Sequence, residues 1–235
     1  KTFNVKFKTV GSWTITATDN DGSDPTYATY DHPEISTGSG IATKLQLLVA
    51  GETAAAGTST GKTGAPTTKT AGTSFTVTVN CVDDEWNKVT IANPDVTLSS
   101  TDSNVTITPN PAALVTGARQ FTVTLKTAGS RTITATDTSG SPTYTADTSP
   151  QITCITASAV KLQLLLPGET ASSGNTSNGG RTGSAISQTT GTQFAVTVNC
   201  VDAYWNIVTD ANPGVRVETS DAYDAHPQGT LTNGT

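Results

Sequence analysis

The stretch from Phe75 to Asn87, FTVTVNCVDDEWN, returns 119 positions later as FAVTVNCVDAYWN from Phe194 to Asn206. WTITATD at Trp13 comes back as RTITATD at Arg131, and KLQLLVAGET at Lys44 comes back as KLQLLLPGET at Lys161, displacements of 118 and 117. A fixed period of this length is one domain-sized unit repeated in tandem, with small insertions and deletions in its loops. Whatever fold is adopted has to be one that a chain can string end to end.

The repeated stretch itself says what the unit is made of. Phe75, Val77, Val79 and Cys81 alternate with Thr76, Thr78 and Asn80, which is the period of a half-buried β-strand. Thr14 to Thr18, Phe121 to Leu125 and Thr132 to Thr136 alternate in the same way, and no helical stripe of useful length is present. Thr makes up about a fifth of the chain, Met is absent and only 14% is charged, a bias toward strand and turn formers. The chain is therefore expected to be all-β. Within one unit IATKLQLLVA, TSFTVTVNCVD, DVTLSS, NVTITP, ARQFTVTLK, SRTITATD and SPTYTADTSPQITCI read as seven strands. Seven short strands between turn signals predict tandem immunoglobulin-like β-sandwiches of about 118 residues per repeat, with a barrel as the alternative. The Gly-, Ala- and Thr-rich segment Gly51 to Gly72, and its counterpart Gly168 to Gly191, read as a long functional or mobile loop between the first two strands.

Aligning the ends on the period sets the phase. Lys1 to Thr9 matches Arg119 to Thr127, and Leu231 to Thr235 matches Leu114 to Ala118. Residues 1–40 are thus expected to be the C-terminal half of one repeat, 41–158 a complete repeat, and 159–235 the N-terminal half of the next. A half sandwich exposes an apolar face and unpaired strand edges, so the expected partner is self: a following chain segment or a neighbouring subunit would complete it. With no Met in the chain, Lys1 is not an initiator, and the sequence reads as a processed chain or an excerpt of a longer one.

A formal charge of -6 with a sequence pI near 4.7 excludes a clustered basic surface of the kind that neutralises phosphates, so no nucleic-acid partner is expected. The apolar runs at Leu45 to Ala50 and Leu162 to Leu166 are too short to span a bilayer, and no transmembrane segment or signal-peptide pattern is read.

AGTSFTVTVNCVDDEWNKV (Ala71 to Val89) followed by GARQFTVTLKTAGSRTITATD (Gly117 to Asp137) resembles the bacterial immunoglobulin-like repeats found in tandem in large secreted and cell-surface proteins, including adhesins of the invasin and intimin type. The resemblance runs through both copies. It implies an extracellular, cell-surface location and a structural or adhesive role. One departure stands out: such repeats usually carry Gly before the Asn of the turn after the second strand, where this chain has Trp86 and Trp205. A tight glycine turn is therefore not assumed, and the two Trp residues are candidates for packing on their own domain or for inter-domain contact.

Few residues offer chemistry. Ala56 to Thr63 satisfies a relaxed phosphate-loop pattern but lacks the strand before and helix after that would make it work. Asp19, Asp21 and Asp24 have the spacing of a calcium loop and are the candidate metal ligands, against the simpler reading of an Asp/Gly turn; apart from calcium, no cofactor is expected. Asp83, Asp84 and Glu85 form a weaker acidic group, since the later copy keeps only Asp202. His32 and His226 lie in loop sequence beside proline, without the paired carboxylates or pocket that hydrolysis needs, and no Cys-His metal spacing exists. Cys81 and Cys154 both fall on the apolar phase of the complete repeat and are the candidate disulfide, with buried thiols as the alternative; Cys200 has no like partner. Asn104, Asn175 and Asn233 head sequons and are candidate glycosylation sites. The expected function is a non-enzymatic extracellular structural protein, the repeating body of a filament, sheath or adhesin stalk. The alternatives are a glycan- or surface-binding adhesive module and an immunoglobulin-like spacer of a secreted enzyme.

Overall fold

In a computed structural model that describes every residue except Asp224, the chain is all-β, with short antiparallel strands and a single 3-10 turn among the described residues. The leading segment carries β1 (Gly11–Trp13) paired with β4 (Ile35–Thr37), and β2 (Thr16–Ala17) paired with β3 (Tyr30–Asp31). In the central copy β5 (Lys44–Val49), β9 (Ser74–Val82), β13 (Ala118–Thr124) and β11 (Thr106–Thr108) form one antiparallel sheet in the order β11-β13-β9-β5. Facing it are β10 (Asp95–Ser100), β12 (Ala112–Ala113), β15 (Ile133–Asp137) and β16 (Asp147–Thr148), in the order β12-β10-β15-β16. A third sheet joins β14 (Gly129–Arg131), β17 (Ile152–Ile155) and β8 (Lys69–Thr70), the last pair parallel.

The alternation read in the sequence is what closes the core. Val77, Val79 and Cys81 of β9, Leu45 and Leu47 of β5, Phe121 and Val123 of β13, Val96 and Leu98 of β10, and Ile133 and Ala135 of β15 all point into one buried cluster. Each Val, Leu, Ile or Phe among them contributes about 1.5–3 kcal/mol by leaving water, so this two-sheet interior is the main source of stability. Two expected strands divide. SRTITATD splits at Thr132 into β14 and β15, and the last strand splits into β16 and β17, each half in a different sheet. The corner is tied by Ser149, whose Oγ accepts the Ile133 N–H at 3.0 Å while its own N–H donates to the Ile133 carbonyl at 2.8 Å. Pro150 follows, and without an N–H it cannot extend the ladder.

The Gly51 to Gly72 segment is not a structureless loop. It forms a hairpin of β6 (Glu52–Ala54) and β7 (Lys62–Gly64) and then supplies β8. Gly51 and Gly64 face each other at φ 103° and 84°, where a side chain on either would overlap backbone of the other arm. This is why a segment without apolar alternation still folds: backbone proximity, not burial, specifies it.

The trailing segment repeats the early strands. β18 (Lys161–Leu165) pairs with β21 (Thr197–Val201), β19 (Glu169–Ala171) with β20 (Arg181–Gly183), and β22 (Gly214–Arg216) with β23 (Gln228–Thr230). Leu165, Cys200 and Val201 are buried, but Leu162 is 50% and Leu164 42% exposed, against 1% and 0% for Leu45 and Leu47.

Candidate functional site

β9 ends in Asp83-Asp84-Glu85-Trp86-Asn87, and hydrogen bonds dictated by Asp83 fold this run into a tight turn. Asp83 Oδ1 accepts the backbone N–H of Glu85 at 3.0 Å and of Asn87 at 2.9 Å, and the Asp83 N–H donates to the Asn87 carbonyl at 3.0 Å. The closure leaves Trp86 at φ 69° and, in the second copy, Trp205 at φ 65°. Trp therefore occupies the left-handed conformation that favours glycine, and the turn is tight. That backbone costs about 1–2 kcal/mol for a residue with a side chain, which packing offsets. The Trp86 indole lies on Gly61 at the tip of the β6–β7 hairpin, and the Lys44 ammonium sits 3.7 Å from a ring centre. Trp205 repeats this with Gly180 and Lys161, again at 3.7 Å. Beneath the ring, buried Gln46 donates to the Gly61 carbonyl at 2.6 Å and accepts from Asn80 at 2.8 Å, a pair repeated by Gln163 and Asn199. Each Trp anchors a hairpin of its own copy, the first of the two roles its sequence leaves open.

The bridging falls to their neighbours. Asn87 Nδ2 donates to the Lys8 carbonyl at 2.9 Å and its Oδ1 accepts the Val10 N–H at 2.9 Å. Asn206 does the same to the Lys126 carbonyl and the Ala128 N–H, both at 2.9 Å. Each Asn thus grips a turn of the preceding copy, 77 to 80 residues earlier in the chain. The aspartates hold the connector, the stretch between β4 and β5 or between β17 and β18: Asp83 Oδ2 accepts the Gly40 N–H at 2.8 Å, and Asp202 Oδ2 accepts the Ala157 N–H at 3.1 Å. One Asp-x-x-Trp-Asn motif therefore fastens the turn and the connector of the preceding copy at once, and does so at both junctions.

The gripped turn is itself prepared. Asp102, fully buried, accepts from the Lys126 N–H at 2.7 Å, the Thr127 N–H at 3.0 Å, the Thr127 hydroxyl at 2.7 Å and the Asn104 N–H at 3.0 Å. Burial pushes its carboxyl pKa up, but these donors outweigh burial and hold it below the usual carboxylate value. The same competition leaves Asp83 low, with burial opposed first by the Gly40 N–H and then by Asn87. Variable residues tune each junction: Glu85 forms an ion pair with Lys6, whereas Tyr204 packs its ring on Gly72.

The other candidate residues fall elsewhere. Asp19 and Asp21 spend their oxygens on turn backbone, Asp21 on Ser23 at 2.9 Å and Asp19 on Tyr27 at 2.9 Å, and no group of three or more acidic, His or Cys side chains converges among the described residues. Asp137, the counterpart of Asp19, accepts the N–H groups of Ser139 and Tyr144, both at 2.9 Å, so a turn motif is common to both copies. The Cys81–Cys154 disulfide is corrected, for both are free, buried thiols. Cys154 pairs with Lys69 beside the start of β9, while Cys81 is seven positions beyond Ser74 along that strand, roughly 23 Å at strand rise. A disulfide needs Cα atoms within about 7 Å. Burial drives both thiols up to about 11. Asn104 donates to the Thr127 hydroxyl at 3.1 Å and the Ser173 carbonyl at 3.4 Å, placing it inside the second junction, whereas Asn233 is exposed. His32 is exposed, its Nδ1 2.7 Å from the Pro33 carbonyl. No helix is long and apolar enough to cross a membrane among the described residues.

No family model matches the sequence, and no curated protein matches it. Solved structures do. The chain is similar to FdeC, described as a broadly conserved Escherichia coli adhesin, at 17% identity and TM-score 0.38, covering 95% of this chain and 63% of that one. It is similar to domains 1-6 of the surface layer protein SbsC at 11% identity and TM-score 0.33, covering 95% and 25%. A family 2 glycosyl hydrolase from Bacteroides cellulosilyticus matches at 16% identity and TM-score 0.38, covering 60% and 17%. This chain spans less than two thirds of the length of each of these structures.

Proposed function

We propose that this chain is part of the repeating body of an extracellular, cell-surface filament or adhesin stalk, with no catalytic role. In this reading it divides near residues 40 and 158 into a late half, a complete repeat and an early half, and neighbouring repeats complete the halves. The observation that carries the reading is the duplicated junction: Asn87 and Asn206 make the same two bonds to the preceding copy, and Asp83 and Asp202 the same bond to the connector. A flexible string of beads needs no such contacts. A stalk that transmits force or holds a fixed pitch does, because each step must reproduce the one before.

The glycan-binding alternative draws less support, since the aromatic rings it would use already carry Gly61 and Lys44 or Gly180 and Lys161. Low-dose electron imaging of the native material tests the proposal. Long fibres or stalks with an axial repeat of one or two copies are the expected result; discrete globular particles would contradict it.

A further inference from the structure

The hairpin that Trp205 anchors also reaches the preceding copy. Its first turn is closed by the Asn175 N–H on the Ser172 carbonyl at 3.2 Å and holds Gly174 at φ 77°. A methyl on Gly174 would overlap the Thr127 hydroxyl oxygen and lie 2.8 Å from Asn104 Nδ2, both in the central copy. That hydroxyl is not free to turn aside, since it donates to buried Asp102 at 2.7 Å and accepts from Asn104 at 3.1 Å. Only glycine lets the two copies approach this closely.

The first junction repeats the contact. A methyl on Gly57, which has φ 79°, would lie 2.8 Å from Thr9 Cγ2, and Thr9 aligns with Thr127. In both copies the N–H of the tip glycine donates at 2.7 Å to the carbonyl of the residue before the Trp, Glu85 or Tyr204. The link from ring to tip is kept as well. Trp86 lies on Gly61, whose carbonyl accepts the Ala55 N–H at 2.7 Å; Trp205 lies on Gly180, whose carbonyl accepts the Ser172 N–H at 2.6 Å. Gly174 and Gly180 are six residues apart where Gly57 and Gly61 are four, so the second hairpin absorbs its extra length between the contacts and keeps both.

We propose that each hairpin is a docking arm for the preceding copy, and that Trp86 and Trp205 are positioning residues of the junction that act through this arm. The proposal rests on the stalk reading and deepens it by naming what holds the angle between neighbours. Joined domains move against each other unless their interface prevents it. Asn206 and Asp202 hold the preceding copy at two places, which still permits a hinge about the line between them. The arm supplies a third, bearing on the side chain of the turn whose backbone Asn206 grips.

Paired spin labels on Thr122→Cys in β13 and Thr197→Cys in β21, both exposed, read the distance between copies in the whole chain, the native thiols being buried. A single narrow distribution is expected. Gly174→Ala should lose it, whereas Gly191→Ala, which imposes similar strain at φ 79° but meets nothing within 4 Å, should keep it. Asn104→Ala, on the other side of the contact, should broaden it while leaving the arm's own turn intact. Trp205→Gly separates the arm from the turn beneath it. Glycine suits φ 65°, so Asn206 keeps its grip and the Ala128 amide stays protected, yet the narrow distribution is lost because nothing holds Gly180. Gly174, Gly191 and Trp205 lie outside the central core, so its thermal transition should stay unmoved. A broad wild-type distribution, a narrow one surviving in Gly174→Ala or Trp205→Gly, Gly191→Ala as broad as Gly174→Ala, or Ala128 deprotected in Trp205→Gly would overturn the proposal. If Gly174→Ala stays narrow while native fibres are imaged, the arm fails and the stalk reading stands; if the arm behaves as expected and the native material is globular, the reverse holds.

Discussion

The central copy and the trailing segment share their early strands almost letter for letter, yet one buries Leu45 and Leu47 and the other leaves Leu162 and Leu164 open. What they share in structure is local. The β6–β7 hairpin recurs as β19–β20, Trp86 on Gly61 recurs as Trp205 on Gly180, and Gln46 with Asn80 recurs as Gln163 with Asn199. What differs is everything that needs the second half of the period. Turn chemistry and side-chain bonds to nearby backbone are thus specified locally, while burial of the β5 leucines depends on the facing sheet. The junction motif belongs to the part the two share: Asp202 and Asn206 reach the preceding copy as Asp83 and Asn87 do.

The largest expected asymmetry is in the core. Phe121→Ala should cost about 3–5 kcal/mol of unfolding free energy, read by denaturant titration, whereas Phe3→Ala in the monomer should stay within about 0.5 kcal/mol. Equal effects would mean the leading segment is as well packed as the centre. Next in size is Gly61→Ala, whose new methyl would overlap the Trp86 indole; overpacking of this kind costs about 1–3 kcal/mol. Gly180→Ala should leave the central transition unmoved and instead loosen the trailing hairpin, seen as faster amide exchange across β19 and β20.

Asp102 and its counterpart in the trailing segment sit differently. Asp221 accepts the Tyr223 N–H at 3.0 Å and is exposed, while Asp102 accepts four bonds in the interior. Because the folded-state pKa of Asp102 is depressed, its contribution is fully present above the unfolded value near 4 and is lost as pH falls through the folded one. Stability measured from pH 6 down to 2 should therefore fall in the wild type and fall less steeply in Asp102→Asn. A slope unaffected by Asp102→Asn would remove its role in the turn. The smallest effect concerns the thiols. Native protein should react slowly with alkylating reagents, since burial raises Cys81 and Cys154 to about 11, and denaturation without reductant should yield three labelled cysteines by intact mass. A mass showing one label would restore the disulfide.

Much of this architecture is legible in the order of the amino acids alone. The period defines the repeat, and alternation locates β5, β9, β10, β13 and β15 because their core contacts obey a two-residue rhythm. The β6–β7 hairpin escapes such a reading because it is specified by paired glycines and backbone bonds, which leave no apolar pattern. The strand corners at Thr132 and Ser149 escape because each half alternates normally and only the sheet changes. The junction role of Asn87 is hidden for another reason: its partners lie 77 and 79 residues earlier. A signal exists all the same. Between copies Asp84 and Glu85 become Ala203 and Tyr204 while Asp83, Trp86 and Asn87 are kept, so the acidic group is informative through the one member that persists. The cysteines mislead because sharing a core says nothing about which end of the strand each occupies.

Amide hydrogen exchange at Ala128 reads directly whether the Asp-x-x-Trp-Asn motif fastens each copy to the one before. The Ala128 N–H donates to Asn206 Oδ1 at 2.9 Å and lies outside any strand ladder. Ala128 should be protected in the wild type and lose roughly tenfold or more of that protection in Asn206→Ala, with Val79 in the core unchanged. An Ala128 amide that exchanges freely in the wild type, or that is equally protected without the Asn206 side chain, would contradict the account.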